Sequence, residues 1–403
     1  MGKGIAKILS GLLVFGMVAG LVPAVPGGTV NAKATEINGQ NATAEPHTHC
    51  VCGTGNLSVE RHTHKEETWT GISKLSDINR EGNYYLTQDV TLTSAWTCQR
   101  NVNLCLNGHS ITRTAKEYYD QNGNNAVIII KNNVDFTLTD CKGTGTITHK
   151  QGVSGEGVYN DGRFFMYNGI IFGNNGGVKN PGMFFMYGGT ITSNTANNGG
   201  GVDNAGTFTM DGGTITSNTA NNGGGVYNDN AGRFIMYGGT ITGNKAEQTY
   251  GTEYGGGVYN QGTFNMYGGE ITNNTATVGG GGVFNKGTFT MSGGEITSNS
   301  SESYGGGVCY SSSQLFKMSG TVNITENKVG TTPNNLYLWN GQQVSASGLT
   351  SGAEIGVTTQ IVPINDSSVP ITSDSVSVNC FFSDNSDYET AIDENSKVVL
   401  KTK

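Results

Sequence analysis

The chain has 403 residues, of which 63 are glycine and 7 proline, with 13% charged residues and a formal net charge of −8. Glycine at about twice its ordinary share beside so little proline excludes a collagen-like or proline-rich disordered chain. The acidic balance argues against a nucleic-acid or anionic-membrane surface, and an apolar share of 35% suits a thin stack in which few side chains point inward.

The chain opens on Lys3 and Lys7, an apolar run from Ile8 to Val25, and the small-residue triplet Ala32-Lys33-Ala34. A basic start, an apolar stretch and a cleavage site predict a secretory signal peptide over 1–34 and an exported, secreted or surface-held mature chain. An uncleaved anchor fits less well, because Gly and Pro crowd the end of the run. No second apolar stretch is long enough for a transmembrane segment. Residues 35–73 read as a polar leader carrying His47, His49, Cys50 and Cys52, then His62 and His64. Imidazole and thiolate are the ligands of tetrahedral zinc, so these six form the candidate metal set, structural rather than catalytic. The plain alternative is an exposed leader with Cys50 and Cys52 oxidised. Seven cysteines cannot all pair within one chain, and their sparseness makes disulfides a minor source of stability.

From Lys74 the pattern changes to short alternating strands. Leu86, Val90 and Leu92 precede Val102-x-Leu104-x-Leu106, and Phe136-x-Leu138 leads to a glycine turn and Ile147. These are degenerate forms of a repeat that becomes regular further along the chain. From residue 157 to about 330 one sentence repeats seven times: GGGVYN, a short gap, GTFTMYGGTITSN and a polar link. Valine recurs from Val158 to Val308, phenylalanine from Phe164 to Phe316, methionine from Met166 to Met318 and isoleucine from Ile171 to Ile296, with Ile324 one residue out of step. Same-letter recurrence at a period of 20–32 residues means stacked units that bury their apolar faces on one another.

Within a repeat, period-2 alternation gives three strands separated by glycine turns. Val points in from the first, Phe and Met from the second with threonines outward, and Ile from the third. The fold class expected is all-β: a right-handed, single-stranded parallel β-helix, a three-faced solenoid over 74–362, closed by a capping segment over 363–403. Two asparagine columns, Asn160 to Asn285 after the first strand and Asn194 to Asn327 after the third, suit amide ladders at the turns. An outward aromatic column (Tyr159, Tyr227, Tyr259, Phe284) suits a stacking ladder.

The residues GGGV(Y/F)N–GTF–MxGG(T/E)ITxN resemble the parallel β-helix repeats of bacterial surface proteins. They are similar to polymorphic membrane protein repeats and to autotransporter-like and pectate-lyase-like solenoids. That resemblance covers roughly residues 75–360 and implies the fold strongly. It implies activity weakly, because this scaffold carries adhesins, lyases and hydrolases alike.

Catalytic machinery is hard to find. Asp161, Asp203, Asp211 and Asp229 fall in different registers and read as unclustered, which weakens a calcium-dependent lyase. Glu270 and Glu295 share a register, yet threonine holds that position elsewhere, so they read as a solvated face. The repeats contain no histidine to activate a nucleophile, and the threonine array is too interrupted for ice binding. Insertions enter at one turn, within 114–125, 245–254 and 300–304. They carry Tyr118, Tyr119, Tyr250, Glu253, Tyr254 and Tyr304, the candidate ligand residues, since exposed tyrosine beside acid suits sugar rings or protein hot spots. The function expected is binding, adhesin-like, to a glycan or a host or cell-surface protein. A carbohydrate-active enzyme and a structural spacer are the alternatives.

Overall fold

A computed structural model describes residues 47–49, 67–115, 125–247, 254–365, 367–376 and 380–403. The signal-peptide expectation lies outside these residues, as does most of the leader. The strands of successive coils pair in parallel and in register, so the chain winds a parallel β-helix. Phe164 sits opposite Phe184 and Phe184 opposite Phe208, and the valine and isoleucine strands match one another in the same way. A one-residue slip would turn each inward set out to water, so the repeat itself fixes the register.

The phenylalanine ladder is a 13-stranded sheet. It begins at Glu67–Ile72, earlier than the boundary expected from the change of pattern at 74, with His47–His49 running antiparallel on its edge. Valine and isoleucine ladders join into a 22-stranded sheet because Glu354–Thr359 spans both, with Ile355 opposite Ile324 and Val357 opposite Leu336. Ile324 also faces Ile296 directly, so the extra residue of its coil is absorbed between Met318 and Val322.

The segment read as a polar link holds a fourth, 7-stranded ladder that includes Thr195–Asn198, Thr219–Asn222, Lys245–Ala246 and Thr275–Ala276. Its strands shorten to two residues, too few for alternation to be read from the sequence. Ala220, Ala246, Ala276 and Ser301 are its buried positions. At the far end Phe381–Ser383 still pairs in parallel with Ile355–Val357, so winding continues past 362. The closing element is an antiparallel sheet of Val369–Pro370, Tyr388–Ile392 and Val398–Thr402, which seats Val398 and Leu400 on the open core.

One continuous core runs inside these walls. The Phe rings from Phe164 to Phe316 stack coil on coil at 4.4–4.9 Å. Each such side chain contributes about 1.5–3 kcal/mol by leaving water. Gly239 shows why the turns keep glycine: its φ is +84°, and a Cβ there would lie 2.6 Å from Met210 Cε and 2.9 Å from the Gly213 carbonyl.

Both asparagine columns form amide ladders. In the first, the Asn160 amide donates to Asn180 at 2.7 Å, and the series runs on to Asn285. The second is longer than expected. It starts at Asn174, passes through Asn194, Asn218, Asn244, Asn274, Asn299 and Asn327, and reaches Asn335. His149 Nδ1 meets Asn174 Oδ1 at 2.9 Å at one end, and the Asp384 carboxylate accepts from Asn335 at 2.6 Å at the other. Burial pulls the His149 imidazole below its ordinary range and pushes the Asp384 carboxyl above its own.

The residue before each amide from Asn174 to Asn327 is left-handed. Ser193, Ser217, Asn273, Ser298 and Glu326 take φ of +55° to +61°, where two other coils use Gly173 and Gly243. Ser298→Gly should therefore stabilise the fold by about 0.5–1 kcal/mol, measured as a higher denaturation midpoint at unchanged slope. A lower midpoint would refute the strain.

Candidate functional site

The insertions do not present their tyrosines as expected. Tyr254 is 1% exposed and packs against Ala246 and Ala276, sealing the fourth ladder. Tyr304 is half-buried, 5.3 Å from the Tyr337 ring and 4.9 Å from Trp339. The expectation of exposed rings is thus corrected at both: apolar ring faces are more stable folded back on the ladder than held in water. Tyr118, Tyr119, Tyr250 and Glu253 lie outside the described residues. So do Cys50, Cys52, His62 and His64, while His47 and His49 are described only as backbone.

The outward column of the valine ladder does stack, Tyr227 on Tyr259 at 5.4 Å and Tyr259 on Phe284 at 5.7 Å. It is largely covered. Tyr259, Phe284, Cys309 and Tyr337 form a small second core outside the valine strands.

Exposed aromatic surface lies instead on the outer face of the phenylalanine ladder. Residues after each methionine line up there because the ladder hydrogen bonds continue through them. The column reads Tyr167, Tyr187, Asp211, Tyr237, Tyr267. Tyr167 stacks on Tyr187 at 4.8 Å and Tyr237 on Tyr267 at 5.0 Å. Tyr237 and Tyr267 are 54% and 47% exposed. Beside them Phe165 stacks on Phe185 at 5.1 Å, and Ile235 occupies the same outward position, where threonines alone were expected.

Asp211 breaks the tyrosine stack. Strands repeat at about 4.8 Å, so the facing rings of Tyr187 and Tyr237, two coils apart, stand about 9.6 Å from each other. Contact distances of about 3.5–4 Å on each side leave a slot for one further ring. Asp211 holds the level between the two rings, and Thr209 lies two residues before it on the same outward face. Partial burial pushes the Asp211 carboxyl above its ordinary range, and the Tyr187 hydroxyl is raised by burial and then by Asp211.

A second polar group sits on the valine face, where aspartates were expected to stand apart. Lys179, Asp203 and Tyr227 are successive partners in one outward column. Burial pushes the Asp203 carboxyl up to about 6; Lys179 opposes this, and Asp229 and Glu156 reinforce it. Glu156 is itself raised by burial. The sequence concealed this group because Glu156 lies before its strand and Asp229 after another, in different registers, and they meet Asp203 only through charge across the stack.

A raised carboxyl binds protons that the unfolded chain would release. Asp203 thus contributes stability fully present below about pH 4, lost as pH rises through about 6. Asp203→Asn should stabilise the protein at pH 7 by on the order of 2 kcal/mol and flatten its stability between pH 4 and 6. Equal pH slopes for the two proteins would refute this environment.

A cleft of about 690 Å³ follows the turn between first and second strands and is lined by Asp161, Arg163, Met183 and Thr207 among others. Its Arg163 guanidinium is held by Asp135 through two bonds of 2.6 and 2.8 Å, so its charge is already answered. Glu270 and Glu295 are adjacent and exposed, as a solvated face requires. Among the described residues, no helix is long and apolar enough to cross a membrane. No protein-family model, curated protein or solved structure matches this chain.

Proposed function

We propose that this is an exported β-helix protein of the bacterial-surface kind that acts by binding a glycan. The observation that carries the reading is the outer tyrosine column, half-buried at Tyr167 and Tyr187, exposed at Tyr237 and Tyr267, and interrupted at Asp211. The slot between Tyr187 and Tyr237 is wider than an aromatic ring needs for sandwich stacking, and suits the thicker saturated pyranose. Asp211 and Thr209 supply acceptors for its hydroxyls, and the flanking stacks extend the platform along the rod. Because the rings are fixed by the sheet, little side-chain freedom is lost on binding. Resemblance to surface-protein repeats supports the same location and role.

Glycan-array binding followed by calorimetry with the best-retained oligosaccharide tests this. Tyr187→Ala and Tyr237→Ala should each weaken binding about tenfold, with Thr242→Ala, on the isoleucine ladder, as the neutral control. Retention unchanged in the double tyrosine variant would end the proposal, as would binding of protein ligands alone.

A second reading rests on Asp203. A carboxyl that holds its proton to about pH 6 beside another carboxyl is the arrangement of a glycosidic acid. Under that reading the mature protein shortens polysaccharides and Asp203→Asn abolishes the shortening. Chain length unchanged across neutral and acidic polysaccharides would dismiss it.

A further inference from the structure

We propose that Cys105 and Cys141 are a disulfide-forming pair that staples the first coils of the rod. Cys105 ends the Val102–Cys105 strand of the phenylalanine ladder, with its backbone opposite Thr139. Two residues after Thr139 the chain turns and brings Cys141 back over it. The two Sγ atoms lie within 4.8 Å of each other, and the Cys141 backbone N–H donates to Cys105 Sγ at 3.4 Å. Their surroundings differ. Cys105 is fully buried against Trp69 and Tyr85, whereas Cys141 is exposed. The neighbouring Cys141 thiol, and then burial, push the Cys105 thiol far above its ordinary range.

The turn that joins them is fixed from below. Asp140 is 1% exposed, and its carboxylate accepts backbone N–H groups of Gly108 at 2.7 Å and Gly145 at 2.6 Å. Asp140 is the third group within reach of a metal ion, and each of its oxygens already accepts a backbone N–H that holds the turn. With that carboxylate committed to the turn, two thiols this close favour a covalent bond among the described residues. The other described cysteines, Cys98, Cys309 and Cys380, are buried.

The chemistry needs a disulfide oxidant, such as oxidised glutathione. The exposed Cys141 thiolate attacks one sulfur of the oxidant and expels the other as a thiolate, leaving a mixed disulfide. Cys105 then gives its proton to solvent base. Its sulfur attacks Cys141 Sγ and releases the second oxidant thiolate. Two protein thiols lose two electrons, and one oxidant disulfide becomes two thiols. Burial of Cys105, which disfavours its thiolate, makes this second step the slow one, faster at alkaline pH.

The test uses the full chain incubated with oxidised glutathione in excess, followed by alkylation under denaturing conditions and peptide mapping. The expected result is one linked peptide pair containing Cys105 and Cys141, with both lost from the alkylated pool. Cys105→Ala should leave Cys141 carrying a stable glutathione adduct, which separates a missing partner from a misfolded chain. Three results would overturn the proposal: a stable glutathione adduct on Cys141 in the unaltered protein, linkage of Cys141 to Cys50 or Cys52, or both thiols still alkylated. Zinc bound at one equivalent and lost in Cys105→Ala would replace it with a metal site.

Discussion

Asn218→Leu should destabilise the rod by about 3–6 kcal/mol, the sum of two or three orphaned buried groups at roughly 1–3 kcal/mol each. Leucine matches asparagine in size, so the change removes polarity and leaves volume nearly unaltered. Asn218 Oδ1 accepts from the Asn194 backbone N–H at 3.0 Å and from its side-chain amide at 2.9 Å. Its own amide donates to the Ile191 carbonyl at 2.9 Å and to Asn244 at 3.0 Å. All of these atoms sit where water does not reach, so none of the lost bonds is replaced. Asn221→Leu is the control. Its amide meets Asn197 at 3.5 Å in an exposed position, and its loss should stay within about 0.5 kcal/mol. Denaturant midpoints of the two variants decide the matter; if both shift alike, the columns are ornaments of the turn and not its support.

Phe234→Ala should cost about 3–5 kcal/mol through lost burial and the cavity left behind. Its ring is stacked on Phe208 at 4.8 Å and Phe264 at 4.6 Å, so the gap falls in the middle of the column. Strands above and below are hydrogen-bonded across the defect and cannot collapse into it. In a stacked repeat each coil is held only by its neighbours, so a weak coil should divide the rod into two units that melt separately. Calorimetry should then show two transitions where the parent shows one. Tyr237→Ala removes an equally regular stack on the outer face, with Tyr267 at 5.0 Å, yet its ring is 54% exposed and the loss should stay below about 1 kcal/mol. A Phe234→Ala protein that melts as a single unit at the parent temperature would contradict the core described above.

How much was legible depends on the work each letter does. Val158, Phe164, Met166 and Ile171 recur because a stacked interior admits one shape per level, and such constraint prints itself as periodicity. The asparagine columns were readable for the same reason, although Asn335 and Asp384 lie past the last regular repeat, and Asn174 was hidden in the first because Phe172-Gly173 replaces its Thr-Ser. Short elements escaped: two residues of Lys245–Ala246 cannot display an alternation. The outer tyrosines were visible in the letters, since Tyr167, Tyr187, Tyr237 and Tyr267 each follow a methionine. They looked like turn residues because glycine, or Asn168 before Gly169, comes next. Counting the period of the outward positions as carefully as that of the inward ones would have found the column and its break at Asp211. Tyr254 failed in the opposite sense. An aromatic in an insertion reads as exposed until the surface it covers is known.

The amide columns also make the length of this molecule adjustable. Asn180 is followed 24 residues later by Asn204, and Asn204 after another 24 by Asn228. Excision of residues 205–228 would present Asn204 directly to Asn260, with every inward side chain and every ladder amide meeting its own kind. Duplication of the same stretch would be equally silent. Recombination between near-identical coils can therefore lengthen or shorten the rod in whole steps of about 4.8 Å without any new solution to packing. Only the closing antiparallel sheet has no counterpart within the repeats, and a tract of this kind can vary in reach from one copy of the gene to the next while its architecture stays the same.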